Sequence, residues 1–221
     1  MYFESDGIRL YYELTGDGPP LVMLHGNGET HRIFDEAVRD LRKHFTVYAV
    51  DSRGHGQSSP VTEYHYDDMA EDIYRFITHL DIQKPMLYGF SDGGIVGLLI
   101  ALRHPGLLSQ LIASGANTEP TGVKKGWLAL FRLIYAASRS PQMKLMLTEP
   151  HISPDELRTI TTPTLLTAGS RDMISEPHTR MLHETIPDSD LFIVHGATHS
   201  SYIVHSNEIA ALLIDRFANK L

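Results

Sequence analysis

Residues 88–94 read YGFSDGG, a serine between glycines where one apolar run ends and another begins. MLY leads into the stretch and IVGLLIALRH leads out of it, so a buried strand passes into a buried helix. Ser91 stands at the corner. Gly89 and Gly93, two residues to either side, let the two backbones approach closely, which makes this G-x-S-x-G at a strand–helix junction. A serine hydroxyl is a poor nucleophile at neutral pH. The turn supplies the fixed, exposed position, and a base has to come from elsewhere in the chain.

Upstream, Tyr2 to Ser5, the turn-forming Asp6-Gly7 and IRLYYEL read as a hairpin, followed by LVMLHG as a strand covered on both faces. Segments then alternate. Helices are expected over Thr30–Lys43, Asp67–Leu80, from Ile95, over Glu176–Glu184 and over Asn207–Asn219. Strands are expected at FTVYAVD, PMLYGFS, LSQLIASGA, TPTLLTAG and DLFIVHG. This pattern predicts one α/β domain over 1–221, a doubly wound, mostly parallel sheet with an antiparallel N-terminal hairpin. Residues from Pro120 to about Ser153 break the alternation, and their length predicts a small helical cap inserted between two strands. Trp127, Phe131, Ile134 and Tyr135 fall on one helical face, and MKLML adds a second apolar cluster. Ser153-Pro154-Asp155-Glu156 has the form of a capping box that returns the chain to the sheet.

The partners of the serine are sought by role. Imidazole is the base of choice, and a carboxylate must hold its tautomer and compensate its developing charge. AGSRDMI puts Asp172 in the loop after one strand, and VHGATHSS puts His199 after the next. Loops at the carboxyl ends of parallel strands gather on one edge of a sheet, so Ser91, Asp172 and His199 are expected to converge. Glu119, beyond the strand that ends near Gly115, is the rival acid, and His205 the rival base.

Several segments together resemble the α/β-hydrolase family over nearly the whole chain. LHGNGET is similar to its oxyanion loop, DSRGHGQS to its Asp-x-Arg-Gly-His-Gly-x-Ser segment, and GFSDGG to its nucleophile elbow. TPTLLTAGSRD and GATHS resemble the acid and histidine segments, and the order Ser, Asp, His is that of the family. The inserted segment is short beside the multi-helix lids of many relatives. The resemblance implies Ser91 as nucleophile, His199 as base and then acid, and Asp172 as the orienting carboxylate. It implies an oxyanion hole from the backbone N–H groups of Asn27 and Asp92, and an acyl-enzyme route to ester hydrolysis that uses neither cofactor nor metal. His25, His55 and Asp51 are expected to brace loops. A serine at the elbow argues against the epoxide and halide chemistry of relatives with an aspartate nucleophile. Lactones, amides and carbon–carbon bonds stay open, as does a small-molecule receptor with slow turnover.

Composition bounds the rest. The 221 residues carry no cysteine, so disulfides, thiolate metal sites and cysteine nucleophiles are excluded. A formal net charge of −8, without a basic run, argues against nucleic acid as a partner. No basic n-region precedes an apolar stretch at the N-terminus, and the longest apolar run is too short for a bilayer. A soluble cytoplasmic protein acting on a small-molecule ester is expected, with no membrane partner. Trp127, Phe131, Tyr135, Met143 and Met146 are the expected pocket residues from the cap. Asp92 leaves two readings open: a first-turn carboxylate that complements the helix dipole, or one that selects substrates carrying positive charge.

Overall fold

Asp6 and Gly7 both adopt positive φ, 48° and 77°. This turn folds β1 (Tyr2–Ser5) onto β2 (Ile8–Thr15) in antiparallel register, with Phe3 opposite Leu10. The structure, a computed structural model, describes residues 1–218, so the expected last residue of the closing helix, Asn219, lies outside the described residues. The remaining strands are β3 (Pro20–Leu24), β4 (Thr46–Val50), β5 (Met86–Phe90), β6 (Gln110–Ser114), β7 (Thr164–Gly169) and β8 (Ser189–Val194). They form one eight-stranded sheet in the order β1-β2-β4-β3-β5-β6-β7-β8. β2 meets β4 antiparallel, and every pair from β4 to β8 is parallel.

The connections carry α1 (Asp35–Leu41), α2 (Tyr66–His79), α3 (Asp92–Arg103), α4 (Lys125–Ser138), α5 (Pro141–Thr148), α6 (Pro154–Leu157), α7 (Glu176–Thr185) and α8 (Glu208–Phe217). Because strand side chains alternate, β3 turns Leu21 and Met23 to one layer and Val22 and Leu24 to the other. The first layer is closed by Ala37 and Leu41 of α1 with Ile209 and Leu213 of α8. The second is closed by Ile73 and Phe76 of α2, Leu98 of α3 and Leu182 of α7. Both faces of the central strands are therefore buried, which is why those strands read as unbroken apolar runs. No helix among the described residues is long and apolar enough to cross a membrane.

Two elements depart from their expected form. The helix expected over Thr30–Lys43 opens as a 3-10 turn, His31–Phe34, and is α-helical only from Asp35 to Leu41. The cause is tertiary: the N–H and ring Nδ1 of His31 both bond to the Asp51 carboxylate, at 2.8 and 2.7 Å, which holds that turn to β4. In the insertion between β6 and β7, the four residues expected on one face of α4 divide. Phe131 points inward with Leu128 into a small cluster with Val123 and Ile174, against which Met143 and Met146 pack. Trp127 and Ile134 are exposed, and Tyr135 is half-buried under the Arg139 guanidinium. The capping box at α6 is present, with Ser153 and Glu156 each bonded to the other's backbone.

The corner between β5 and α3 leaves no room for side chains. A Cβ on Gly89 would fall on the Gly93 carbonyl oxygen, and a Cβ on Gly93 on the carbonyl of Leu24 in β3. Gly126, in the first turn of α4, meets nothing. Gly93→Ala is therefore expected to cost at least the roughly 3 kcal/mol at the upper end of overpacking. Gly126→Ala should gain about 0.5 kcal/mol by restricting the unfolded chain. Urea unfolding of the two variants beside the parent checks both signs.

Candidate active site

Ser91 is held at φ 52°, ψ −112°, a conformation that costs a non-glycine residue of order 1–3 kcal/mol. Its N–H donates to the Ser114 carbonyl at 2.8 Å, which ties the corner to β6. The strain turns the hydroxyl away from the sheet and toward the loop after β8. There the Nε2 of His199 lies 3.1 Å from Ser91 Oγ. The other ring nitrogen, Nδ1, lies 2.6 Å from Asp172 Oδ1. A carboxylate at that distance keeps the proton on Nδ1 and leaves the Nε2 lone pair facing the hydroxyl. Asp172 is itself fixed, because Oδ1 also accepts from the Ile174 N–H at 2.9 Å and Oδ2 from the Gly169 N–H at 3.3 Å. The imidazole lies against Gly115, where a Cβ would collide with it, and its ring is 4.9 Å from that of Phe90.

The structure thus brings Ser91, His199 and Asp172 together and leaves the rivals apart. Glu119 is exposed and caps the turn before α4 through its backbone, without a bond to His199. His205 is exposed and donates its N–H to the Ile33 carbonyl. An imidazole placed like His199 can take a proton from a serine as the oxygen attacks, and return it to a leaving group.

The loop after β3 lies against the elbow. Gly93 N–H donates to the His25 carbonyl at 3.2 Å. Glu29 accepts the Gly26 N–H at 3.0 Å, and burial pushes its carboxyl up. His55 Nε2 accepts the Gly28 N–H at 3.1 Å. Between these, the backbone N–H groups of Asn27 and Asp92 have no acceptor among the described residues. They are the two expected oxyanion donors. The side chain of Asp92 is only 3% exposed. Its Oδ2 accepts from Asn27 Nδ2 at 2.9 Å and its Oδ1 from the Tyr66 hydroxyl at 2.8 Å. Burial raises its pKa, and the two hydrogen bonds pull the other way. Both carboxylate oxygens are thus engaged by neutral donors, an arrangement that neither reading of Asp92 from the sequence had described.

Of the expected pocket residues, Phe131, Met143 and Met146 belong to the cluster that includes Ile174, two residues from Asp172, while Trp127 and Tyr135 lie outside it. Reading the sequence missed Tyr66 and Gln142. The Tyr66 hydroxyl bonds Asp92, and the Gln142 carbonyl accepts from Asn27 Nδ2 at 3.4 Å. Neither sits in a motif, and their only signal is position: Tyr66 opens α2, and Gln142 lies in the first turn of α5. Among the described residues, no group of three His, Asp or Glu side chains could hold a metal ion.

A family model described as the alpha/beta hydrolase fold matches residues 19–150. The AB hydrolase superfamily protein YisY of Bacillus subtilis (strain 168) is 34% identical over 129 residues, 55% of this chain. That match takes in 48% of YisY, about half of the relative's own length. Serine hydrolase BPHL of Homo sapiens is 27% identical over 245 aligned residues, covering 95% of this chain and 83% of that one. Among solved structures, the esterase EaEST from Exiguobacterium antarcticum superposes with a TM-score of 0.83 at 24% identity, over 97% of each chain.

His25 gives the site a pH dependence of stability. Its Nδ1 donates to the Gly26 carbonyl at 2.8 Å and its Nε2 accepts the Ser52 N–H at 3.0 Å. A second ring proton would point at a donor, and burial lowers its pKa from 6.5 to about 4. A depressed histidine stabilises the fold fully above its unfolded value and loses that contribution as pH falls toward the folded one. The window is therefore pH 6.5 down to 4, with about 2 kcal/mol lost by pH 5. Urea unfolding at pH 7 and pH 5 should show that loss in the parent and a smaller one in His25→Gln.

Proposed function

The chain belongs to the α/β-hydrolase family, and on that footing we propose that it is a serine hydrolase that cleaves small carboxylic esters through an acyl-enzyme on Ser91. The observation that carries this reading is the hydrogen-bonded line from Ser91 Oγ through His199 to Asp172, beside two backbone N–H groups without acceptors. In the first half-reaction Ser91 Oγ attacks the ester carbonyl carbon while His199 Nε2 takes the hydroxyl proton. The carbonyl oxygen gains charge between the N–H groups of Asn27 and Asp92, and one such donor is typically worth about 3 kcal/mol. Collapse expels the alcohol, which receives the proton from His199. In the second half, water loses its proton to His199 and attacks the acyl carbon; collapse breaks the bond to Ser91 Oγ, which takes that proton from His199, and the acid is released. Asp172 holds Nδ1 throughout and compensates the imidazolium.

The helices of the insertion are read as a cap, because the Gln142 carbonyl reaches Asn27 and the cluster of Phe131, Met143 and Met146 includes Ile174 beside the acid. Trp127, exposed, and Tyr135, under the Arg139 guanidinium, stand outside this lining. An acyl or alcohol group that is apolar and of modest size fits such walls. The relatives described as a serine hydrolase and an esterase support the same chemistry.

Burst and steady-state hydrolysis of p-nitrophenyl acyl esters tests the proposal. Sustained turnover is expected, falling about 10⁴-fold or more in Ser91→Ala and by about 10³–10⁴-fold in Asp172→Asn, with Glu119→Gln near the parent rate. Tight ligand binding with negligible turnover would instead make the protein a receptor. Asp92→Asn gives a separate reading. Its amide can no longer accept both donors, so hydrolysis of all esters should drop about tenfold, one hydrogen bond's worth. The ratio of cationic to neutral substrates should stay unchanged. A selective loss of the cationic ones would return the carboxylate to substrate recognition.

A further inference from the structure

Strand alternation leaves an oddity beneath the site. β6 turns Ile112 to the layer closed by α1 and α8, and β7 turns Leu165 to the same layer. Two residues further along each strand, that face carries Ser114 and Thr167, 0% and 1% exposed. A hydroxyl in an apolar layer is costly unless it is bonded. Ser114 Oγ lies 2.5 Å from Thr167 Oγ1, and Thr167 Oγ1 lies 3.2 Å from the hydroxyl of Tyr202, which is buried as well. Burial pushes the Tyr202 phenol up, the Asp172 charge adds to the effect, and the group keeps its proton. We propose that the hydroxyls of Ser114, Thr167 and Tyr202 are positioning groups, a line that holds the His199 loop to the strands beside Ser91 and Asp172. Their role rests on the proposed hydrolase reading, since it is exerted on the groups that reading makes catalytic.

Each of the three stands beside one of those groups. The Ser114 carbonyl accepts the Ser91 N–H at 2.8 Å, and the next residue, Gly115, lies against the His199 ring. Thr167 faces Ser114 in register, and its carbonyl accepts the Gly115 N–H at 2.8 Å. β7 then ends at Gly169, just before the loop with Asp172. Tyr202 follows His199 in the loop after β8. On the other side of His199, the Arg171 N–H donates to the Ala197 carbonyl at 2.8 Å. The histidine is therefore bracketed. A backbone bond ties its loop to the acid segment before it, and the Tyr202 hydroxyl ties that loop to β7 after it.

Stability alone does not call for hydroxyls here. Apolar groups of the same shape at both ends of a buried hydrogen bond are often neutral or stabilising. What a satisfied buried network adds is direction, because it fixes distance and angle between segments where apolar packing tolerates several arrangements. The pair of Ser91 Oγ and His199 Nε2 needs that precision, since a misplacement of about 1 Å can cost about 100-fold in rate. All three side chains are buried, so they act through the placement of His199 and leave substrate binding alone.

Thr167 separates positioning from packing. Thr167→Ser keeps the hydroxyl and loses a methyl, whereas Thr167→Val keeps the shape and loses the hydroxyl. Both should lower Tm by about 2–4 °C. Only Thr167→Val should lower kcat on p-nitrophenyl acyl esters, by about 10–100-fold with KM within about twofold of the parent. Tyr202→Phe should show the same split at about tenfold, and the double variant should fall no further than Thr167→Val alone. The proton on His199 Nδ1 gives a second readout, a downfield NMR resonance absent from His199→Gln. It should persist in Thr167→Ser and broaden in Thr167→Val. Equal kcat in the two Thr167 variants overturns the inference, as does a loss in Tyr202→Phe confined to KM. Should Thr167→Val not fold, an unchanged kcat in Tyr202→Phe overturns it alone. The expected resonance pattern in a protein that hydrolyses no ester leaves the positioning line standing and removes the enzyme.

Discussion

The contact on which the site depends is a backbone one: the Cα of Gly93, in the first turn of α3, lies against the carbonyl of Leu24 at the end of β3. It forces the chain to turn at Ser91 within a single residue of strained geometry, and so exposes the hydroxyl. The same approach lets Gly93 N–H bond the His25 carbonyl, which seats the loop carrying Asn27 beside Asp92. The two N–H groups proposed as the oxyanion site, far apart in sequence, thereby come from segments that a backbone contact brings together. Any residue with a Cβ at 93 would push β3 and α3 apart and spread that pair. A few kcal/mol of strain at one residue is compatible with folding because buried strands and helices surround it on both faces of the sheet.

The residues legible in the sequence were those whose chemistry or geometry is local. Gly89 and Gly93 mark a turn because nothing larger fits, and Ser91 is found between them. Asp172 and His199 follow strands whose apolar runs announce them, so a parallel sheet predicts their meeting without any knowledge of distances. Tyr66 and Gln142 were not legible, because each acts through a partner distant in sequence. Tyr66 meets Asp92 across 26 positions and Gln142 meets Asn27 across 115. Their types are ordinary for the places they occupy. The shared face expected on α4 failed for a different reason. Periodicity identifies an apolar stripe, but in a helix apolar nearly all round it cannot say which side the core takes.

Asp92 and Asp51 are both buried carboxylates, and the comparison shows what a partner's charge changes. Asp51 bonds the His31 ring as well as the backbone N–H groups of His31 and Gln57, and its pKa is lowered despite burial. Asp92 has only an amide and a phenol, and burial keeps its pKa raised. A group in that position is poorly suited to fixing charge but well suited to fixing geometry, because it accepts from two donors on separate segments. An asparagine would leave one donor facing an N–H, and an apolar residue would leave both unpaired in a buried place.

Those two donors are also where the insertion touches the rest of the site. At its far end Glu149 bonds the Tyr66 N–H at 3.1 Å and the His65 ring at 2.6 Å, at the start of α2. In its middle the Gln142 carbonyl takes the other proton of the Asn27 amide. At its near end the Lys124 N–H bonds the Met173 carbonyl at 2.9 Å, next to Asp172. The segment between Glu119 and Glu149 is thus anchored to the elbow carboxylate from both sides, through Tyr66 and through Asn27, and to the acid loop at its base. A displacement of α5 relative to the sheet would have to stretch the bonds that position Asn27, whose backbone N–H is one half of the proposed oxyanion site. The hydrogen bonds are backed by packing, because Leu145 of α5 is buried in the main core with Tyr66 and with Ile95 and Leu99 of α3, so α5 cannot shift without disturbing the helix that begins at the elbow.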